Sequence, residues 1–171
     1  PISLSSDCDV FRMAENIFID GKDISEIAEL VISKELDFSK GSSILNRFTS
    51  LKEFKLSEDA PYINYAVRDG VLFDDSVTNI IKYPTAKTGE YIVPDSVRTI
   101  SSYAFSGVTG LTEIRIPDEV IYLNEYMFSN CVSLEKVTLP SNTIEVPKFA
   151  FYNCKNLKNI DLGTSLEKVN V

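Results

Sequence analysis

The sequence predicts a solenoid, α/β or mainly β. Its coils are about 23 residues long with short helical turns, its N-terminal capping repeats are irregular, and one β-hairpin is inserted. Three observations predict this. A proline recurs at Pro94, Pro117 and Pro140, and Gly163 fills the next equivalent slot. An apolar pair follows each proline: Ala104-Phe105, Met127-Phe128 and Ala150-Phe151. Apolar triplets then close the copies, as Leu111, Ile114 and Ile116, as Leu134, Val137 and Leu139, and as Leu157, Ile160 and Leu162. Such a period means stacked coils, each too thin to bury an apolar face alone.

Taken in order, residues 1–57 follow the period loosely. Ile17-Phe18-Ile19 reads as a short strand. Asp23 with Glu26 fits a helix N-cap and capping box, and Ile24, Ile27, Ala28 and Val31 share one helical face. Leu36-Asp37-Phe38 alternates as a strand, and 42–48 reads as a second short helix. Leu51, Phe54 and Leu56 repeat the spacing of Leu111, Ile114 and Ile116, so this stretch is read as divergent, capping repeats. Residues 58–90 break the period. There Val71-Leu72-Phe73 and Ile80-Ile81-Lys82-Tyr83 flank the polar Asp74-Asp75-Ser76, an inserted hairpin, with Lys87-Thr88-Gly89 as a loop. Regular repeats occupy 91–171, the last incomplete, and the whole is read as one domain.

Each regular repeat begins on a short strand with two side chains inward and the middle one outward. The proline ends it, having no N–H for the ladder. Val97, Val120, Thr143 and Leu166, then Ile100, Leu123, Val146 and Val169, predict a second extended segment on another face. The aromatic triplets turn the corner, and Phe105, Phe128 and Phe151 are expected to stack as an inner column. Cys131 and Cys154 share the slot of Val108, which marks both as buried free thiols.

Chemistry is sparse. With no histidine there is no Ser-His or Cys-His pair and no imidazole metal site. Asp7-Cys8-Asp9 flanks a thiol with carboxylates, and Asp69, Asp74 and Asp75 could gather around a weak Ca²⁺, but an acidic turn is the simpler reading. No catalytic residue, cofactor or metal is expected, so the chain is read as non-enzymatic. A net charge of −8 argues against nucleic acid and anionic lipid. No apolar run approaches the ~20 residues of a membrane span. The chain starts at Pro1, which suggests that something was removed upstream.

The solenoid geometry nominates a partner-binding face. Lys55, Ile92, Arg115, Thr138 and Asp161 are the outward middle residues, as is Asp37, and Glu113, Lys136 and Asn159 lie beside them. The expected partner is a protein. The incomplete last repeat would leave an open strand edge, a further route to self-association. Tyr62, Tyr65 and Tyr83 are the alternative platforms, for a carbohydrate.

These residues resemble the BspA-like branch of leucine-rich repeats. Val93-Pro94, Val97, Ile100, Ala104-Phe105, Leu111, Ile114 and Ile116-Pro117 carry the pattern, and Asn130-Cys131 and Asn153-Cys154 match its Asn-Cys pair. Asp69-Gly70-Val71-Leu72-Phe73 with Lys82-Tyr83-Pro84 is similar to an inter-repeat segment of that family. The likeness covers about 51–171 and departs at Val108, Met127, Thr143 and Gly163. It implies a leucine-rich-repeat solenoid on an extracellular or cell-surface protein that contacts host proteins, matrix or other cells. A spacer that displays another domain is the alternative.

Overall fold

The computed structural model describes residues 2–4, 18–19, 22–32, 43–58 and 64–170. The expectations at Asp7-Cys8-Asp9, Leu36-Asp37-Phe38 and Tyr62 lie outside these residues. The architecture is a mainly β solenoid of about 5 turns with about 23-residue spacing.

One sheet stacks Thr88–Ile92, Gly110–Arg115, Lys136–Thr138 and Asn159–Asp161, all parallel. Thr88 and Gly89 thus begin a strand, where the sequence suggested a loop. The second extended segment forms Thr99–Ile100, Glu145–Val146 and Lys168–Val169. Between the two faces, Leu111, Ile114, Leu134 and Val137 meet Val97, Ile100, Val120 and Val146, all buried in one core. The inner aromatic column stands as expected. Phe105 and Phe128 have ring centroids 5.1 Å apart, Phe128 and Phe151 5.5 Å, and Tyr83 extends the column 5.1 Å from Phe105.

The corners differ from the expected helical turns. Tyr103, Tyr126 and Phe149 have φ of 63°, 58° and 55°, and Gly107, Asn130 and Asn153 have φ of 75°, 62° and 59°. Two left-handed residues per corner prevent a helix. One N–H between them turns to the next coil, Phe105 donating to Met127 C=O and Phe128 to Ala150 C=O, both at 2.9 Å, while the Ser106 and Ser129 N–H groups close local turns on Tyr103 and Tyr126 C=O at 3.1 Å. The Asn-Cys pair follows from this, because glycine and asparagine tolerate the left-handed slot best.

The expected helix over 23–31 is also overturned. Asp23 does cap, accepting the Ser25 N–H at 2.8 Å, but only one 3-10 turn, Ile24–Glu26, follows. Glu29–Ile32 is a strand paired in parallel with Glu53–Leu56, and Leu30 and Ile32 are fully buried while Ala28 is exposed. A neighbouring strand satisfies the backbone and rewards the period of two over the helical one. The second short helix is the 3-10 turn Ser43–Arg47, and Phe18–Ile19 forms a small antiparallel hairpin with Lys22–Asp23, not a coil of the stack.

The inserted segment has three strands: Tyr65–Arg68, Val71–Asp74 and Asn79–Lys82 run antiparallel, and the last then pairs in parallel with Thr99–Ile100. Asp69 and Gly70, with φ of 49° and 74°, make the tight turn. A Cβ on Gly70 would lie 2.8 Å from the Cβ of Glu53, so glycine is required twice over. Both faces of the middle strand are covered. Val71, Phe73, Ile80 and Tyr83 join the core of the regular repeats, while Leu72 and Ile81 join a second core with Leu30, Leu45, Phe48, Leu51 and Phe54. This explains the unbroken apolar run Val71-Leu72-Phe73.

Candidate functional site

Strand alternation places the nominated face. Ile92, Arg115, Thr138 and Asp161 sit at one register level of the four-stranded sheet, and Glu113, Lys136 and Asn159 sit at another. All seven point away from the core, whose inward neighbours Ile114 and Val137 are fully buried. Ile92 is 71% exposed, a large aliphatic surface for a sheet face. Lys55 is not brought into this set: it is exposed, but it lies in a separate sheet with Ile2–Leu4 and Glu29–Ile32.

The charges on this face are arranged across coils. Lys136 Nζ meets Glu113 at 2.6 Å, and Lys158 meets Glu135 at 2.8 Å. Lys55 pairs with Glu29 and Glu53. The Glu113 carboxylate beside Lys136 pushes the ammonium pKa up, so Lys136 stays charged. Pairs this exposed contribute little to stability, so they remain open to exchange for a partner's charges. Arg115 makes no salt bridge among the described residues. It borders a polar depression of about 300 Å³ with Asp118, Thr138 and Asp161. A second depression, of about 260 Å³, holds Glu113, Glu135, Lys136 and Asn159. The face can therefore offer both signs of charge, amide and hydroxyl groups, and one aliphatic side chain.

Other candidates fall away. Tyr83 is fully buried against Tyr91 and Phe105, so it is no surface platform, and Tyr65 is half-buried against the second core. The Asp74 carboxylate is engaged by the Thr78 and Asn79 N–H groups, both at 2.7 Å, and by the Thr78 hydroxyl at 2.6 Å. It shapes a turn and has little capacity left for an ion. Cys131 is buried and Cys154 half-buried; both thiols are free, donating at 3.0 Å to the Phe105 and Phe128 carbonyls.

Two features were not anticipated. Lys82 is fully buried, and its ammonium donates to Asn46 Oδ1 and, at 2.9 Å each, to the carbonyls of Tyr103 and Ser106. Period-two alternation along Ile80-Ile81-Lys82 could have hinted at burial, but not at the three acceptors. The second is a concentration of exposed apolar side chains on the other strand line: Ile121, Tyr122 and Ile144, with Phe149 and Tyr152 at the corner. The outer rings stack, Tyr103 on Tyr126 at 5.0 Å and Tyr126 on Phe149 at 4.9 Å.

No curated protein sequence matches this chain. Among solved structures it is similar to a leucine-rich repeat protein from Eubacterium ventriosum, with 24% identity, a TM-score of 0.56, and coverage of 85% of this chain and 49% of that one. It is also similar to the pneumococcal vaccine antigen PcpA, with 24% identity, a TM-score of 0.60, and coverage of 79% and 38%. The chain thus spans half or less of the length of these structures. The model of the BspA type leucine rich repeat region matches residues 72–171 in 6 copies. That match takes in every regular repeat and the buried strand before them, and the chain belongs to the BspA type leucine-rich repeat family.

Proposed function

We propose that the chain is a non-enzymatic protein-interaction module of a cell-surface or secreted protein, used in adhesion or host contact. It binds a folded protein partner across the four-stranded sheet. The observation that carries this reading is the seven-residue patch Ile92, Glu113, Arg115, Lys136, Thr138, Asn159 and Asp161, held outward on a sheet whose backbone is rigidly paired. Parallel strands set these side chains at fixed intervals of about 4.8 Å, so the patch is pre-organised and loses little entropy on binding.

The test is binding of the chain to a panel of immobilised extracellular-matrix proteins, compared with the double variant Arg115→Glu, Lys136→Glu. At least one interaction is expected, weakened about tenfold or more in the variant, with an unchanged melting temperature. Equal binding by the variant would move the site off this sheet. No binding by the wild type would favour a spacer.

A further inference from the structure

The second strand line is broken at one place. Residues 99–100 pair with the coil before them, and 145–146 with the coil after them, in two different sheets. Between these stand residues 121–123, linked backward by the Thr99–Tyr122 bridge and the Ile121 N–H to Arg98 C=O bond of 3.0 Å. No backbone hydrogen bond joins 121–123 to 144–147.

Pro147 is one cause. Its slot is held in other coils by Ser101, Asn124 and Asn170. The Ser101 N–H donates to Ile80 C=O and the Asn170 N–H to Val146 C=O, each at 3.0 Å, and at Asn124 the side-chain amide serves Ile100 C=O at 2.7 Å. Proline has no N–H, so the equivalent bond to Leu123 cannot form. The bonds preceding it are missing too. In two coils successive N–H groups share one carbonyl, Arg98 and Thr99 on Thr78 and Glu167 and Lys168 on Ile144, and Ile121 alone reaches Arg98, but Ile144 and Glu145 make no contact of this kind with Ile121.

A cleft of about 480 Å³ opens at this break, lined by residues that include Ile121, Tyr122, Thr143, Ile144, Glu145 and Pro147. Its rim is apolar: Ile121, Tyr122 and Ile144 are 62%, 63% and 59% exposed. Its wall carries an unpartnered polar group. Thr143 is only 7% exposed, its hydroxyl has no hydrogen-bond partner, and its slot is otherwise filled by Val97, Val120 and Leu166. Two departures from the repeat, Thr143 and Pro147, thus flank one opening.

We propose that this cleft binds an extended peptide segment of a partner protein. The backbone groups that the broken ladder leaves on 121–123 and 144–145 are those an added strand would use. The rim would take apolar side chains, and a small non-peptide ligand would leave the backbone groups unserved. Charge adds a second criterion. Glu145, the one charged residue lining the cleft, accepts from Asn170 and meets Lys168 at 3.4 Å across an exposed pair. A basic residue of the peptide can replace Lys168 there. The site is separate from the sheet face and does not rest on its binding.

A phage-displayed library of random linear heptapeptides, selected on the full chain, tests the proposal. The enriched peptides are then measured by calorimetry. They are expected to combine apolar residues with Lys or Arg. Affinity should fall tenfold or more with Pro147→Asn, which restores the N–H, and with Ile144→Lys, which alters an exposed side chain. The variant Arg115→Glu, Lys136→Glu should bind them like wild type. Three results would overturn the proposal. One is no enrichment over an unselected library. Another is undiminished binding by both cleft variants. The third is a dimer of the free chain that Ile144→Lys dissociates, which would make a second copy the occupant.

Discussion

Lys82 shows how a charged side chain can be built into this interior. An ammonium has three donors and no acceptor, and Asn46, Tyr103 and Ser106 supply three acceptors. Burial disfavours the charge and pushes the pKa down to about 7 from its ordinary 10.5. The sign follows from proton counting: between those values the unfolded chain holds more protons at this site than the native one, so stability rises with pH. Urea unfolding of the wild type is expected to show this contribution between pH 7 and 10, and Lys82→Met should lack it. Lys82→Met also strands three acceptors and should cost about 3 kcal/mol near neutral pH. Tyr83 is the opposite case. Its buried hydroxyl has no partner, and burial pushes its pKa up to about 12. Tyr83→Phe removes an unserved polar group and should raise stability by about 1 kcal/mol in the same measurement.

At the scale of the element, slots that look interchangeable are separated by backbone conformation. Gly163 stands where three coils have proline, so a consensus reading would replace it. Its φ is 65°, and a Cβ there would lie 2.6 Å from Ser141 Cα. Proline is confined near −65°, so Gly163→Pro should destabilise by about 2 kcal/mol or more, against the consensus. Hydrogen exchange should speed up in Lys168–Val169 and its surroundings if so, and unchanged protection would refute it. Asn153 also holds a left-handed φ, 59°, and donates to Asn130 at 2.8 Å. Asn153→Ala loses both advantages, an expected cost of about 1 kcal/mol by thermal unfolding.

For the whole molecule, the strand Val71–Asp74 couples two cores. Its alternation sends Leu72 to the N-terminal core and Phe73 to that of the regular repeats. Leu72→Ala and Phe73→Ala should each cost about 3 kcal/mol or more. Their patterns should differ. Hydrogen exchange is expected to rise first around Leu30, Leu45 and Phe54 for Leu72→Ala, and around Ile100, Phe105 and Val108 for Phe73→Ala. Equal loosening on both sides would mean that the strand is no divider. The core of the regular coils is thus closed at one end by a strand buried on both faces.

The sequence by itself determined the period, the core columns and the outward residues of the regular sheet. A repeat presents the same slot several times, and the Phe105, Phe128 and Phe151 slot and the Leu111, Leu134 and Leu157 slot both pack in the shared interior. Tertiary structure alone decided the rest. Ile24, Ile27, Ala28 and Val31 keep a helical spacing, yet a neighbouring strand draws Glu29–Ile32 into a sheet. The polar Asp74-Asp75-Ser76 turn signals a hairpin, but neither the extra strand before Asp69-Gly70 nor that Val71–Asp74 divides two cores. The three acceptors that let Lys82 be buried come from Asn46, Tyr103 and Ser106, which only the stacking of coils brings beside it. What Pro147 withholds, an N–H at a slot where Ser101 and Asn170 donate to the preceding coil, matters only once the coils are stacked. In each case the deciding contact joins groups far apart in the chain, and which donor meets which acceptor depends on how the coils stack.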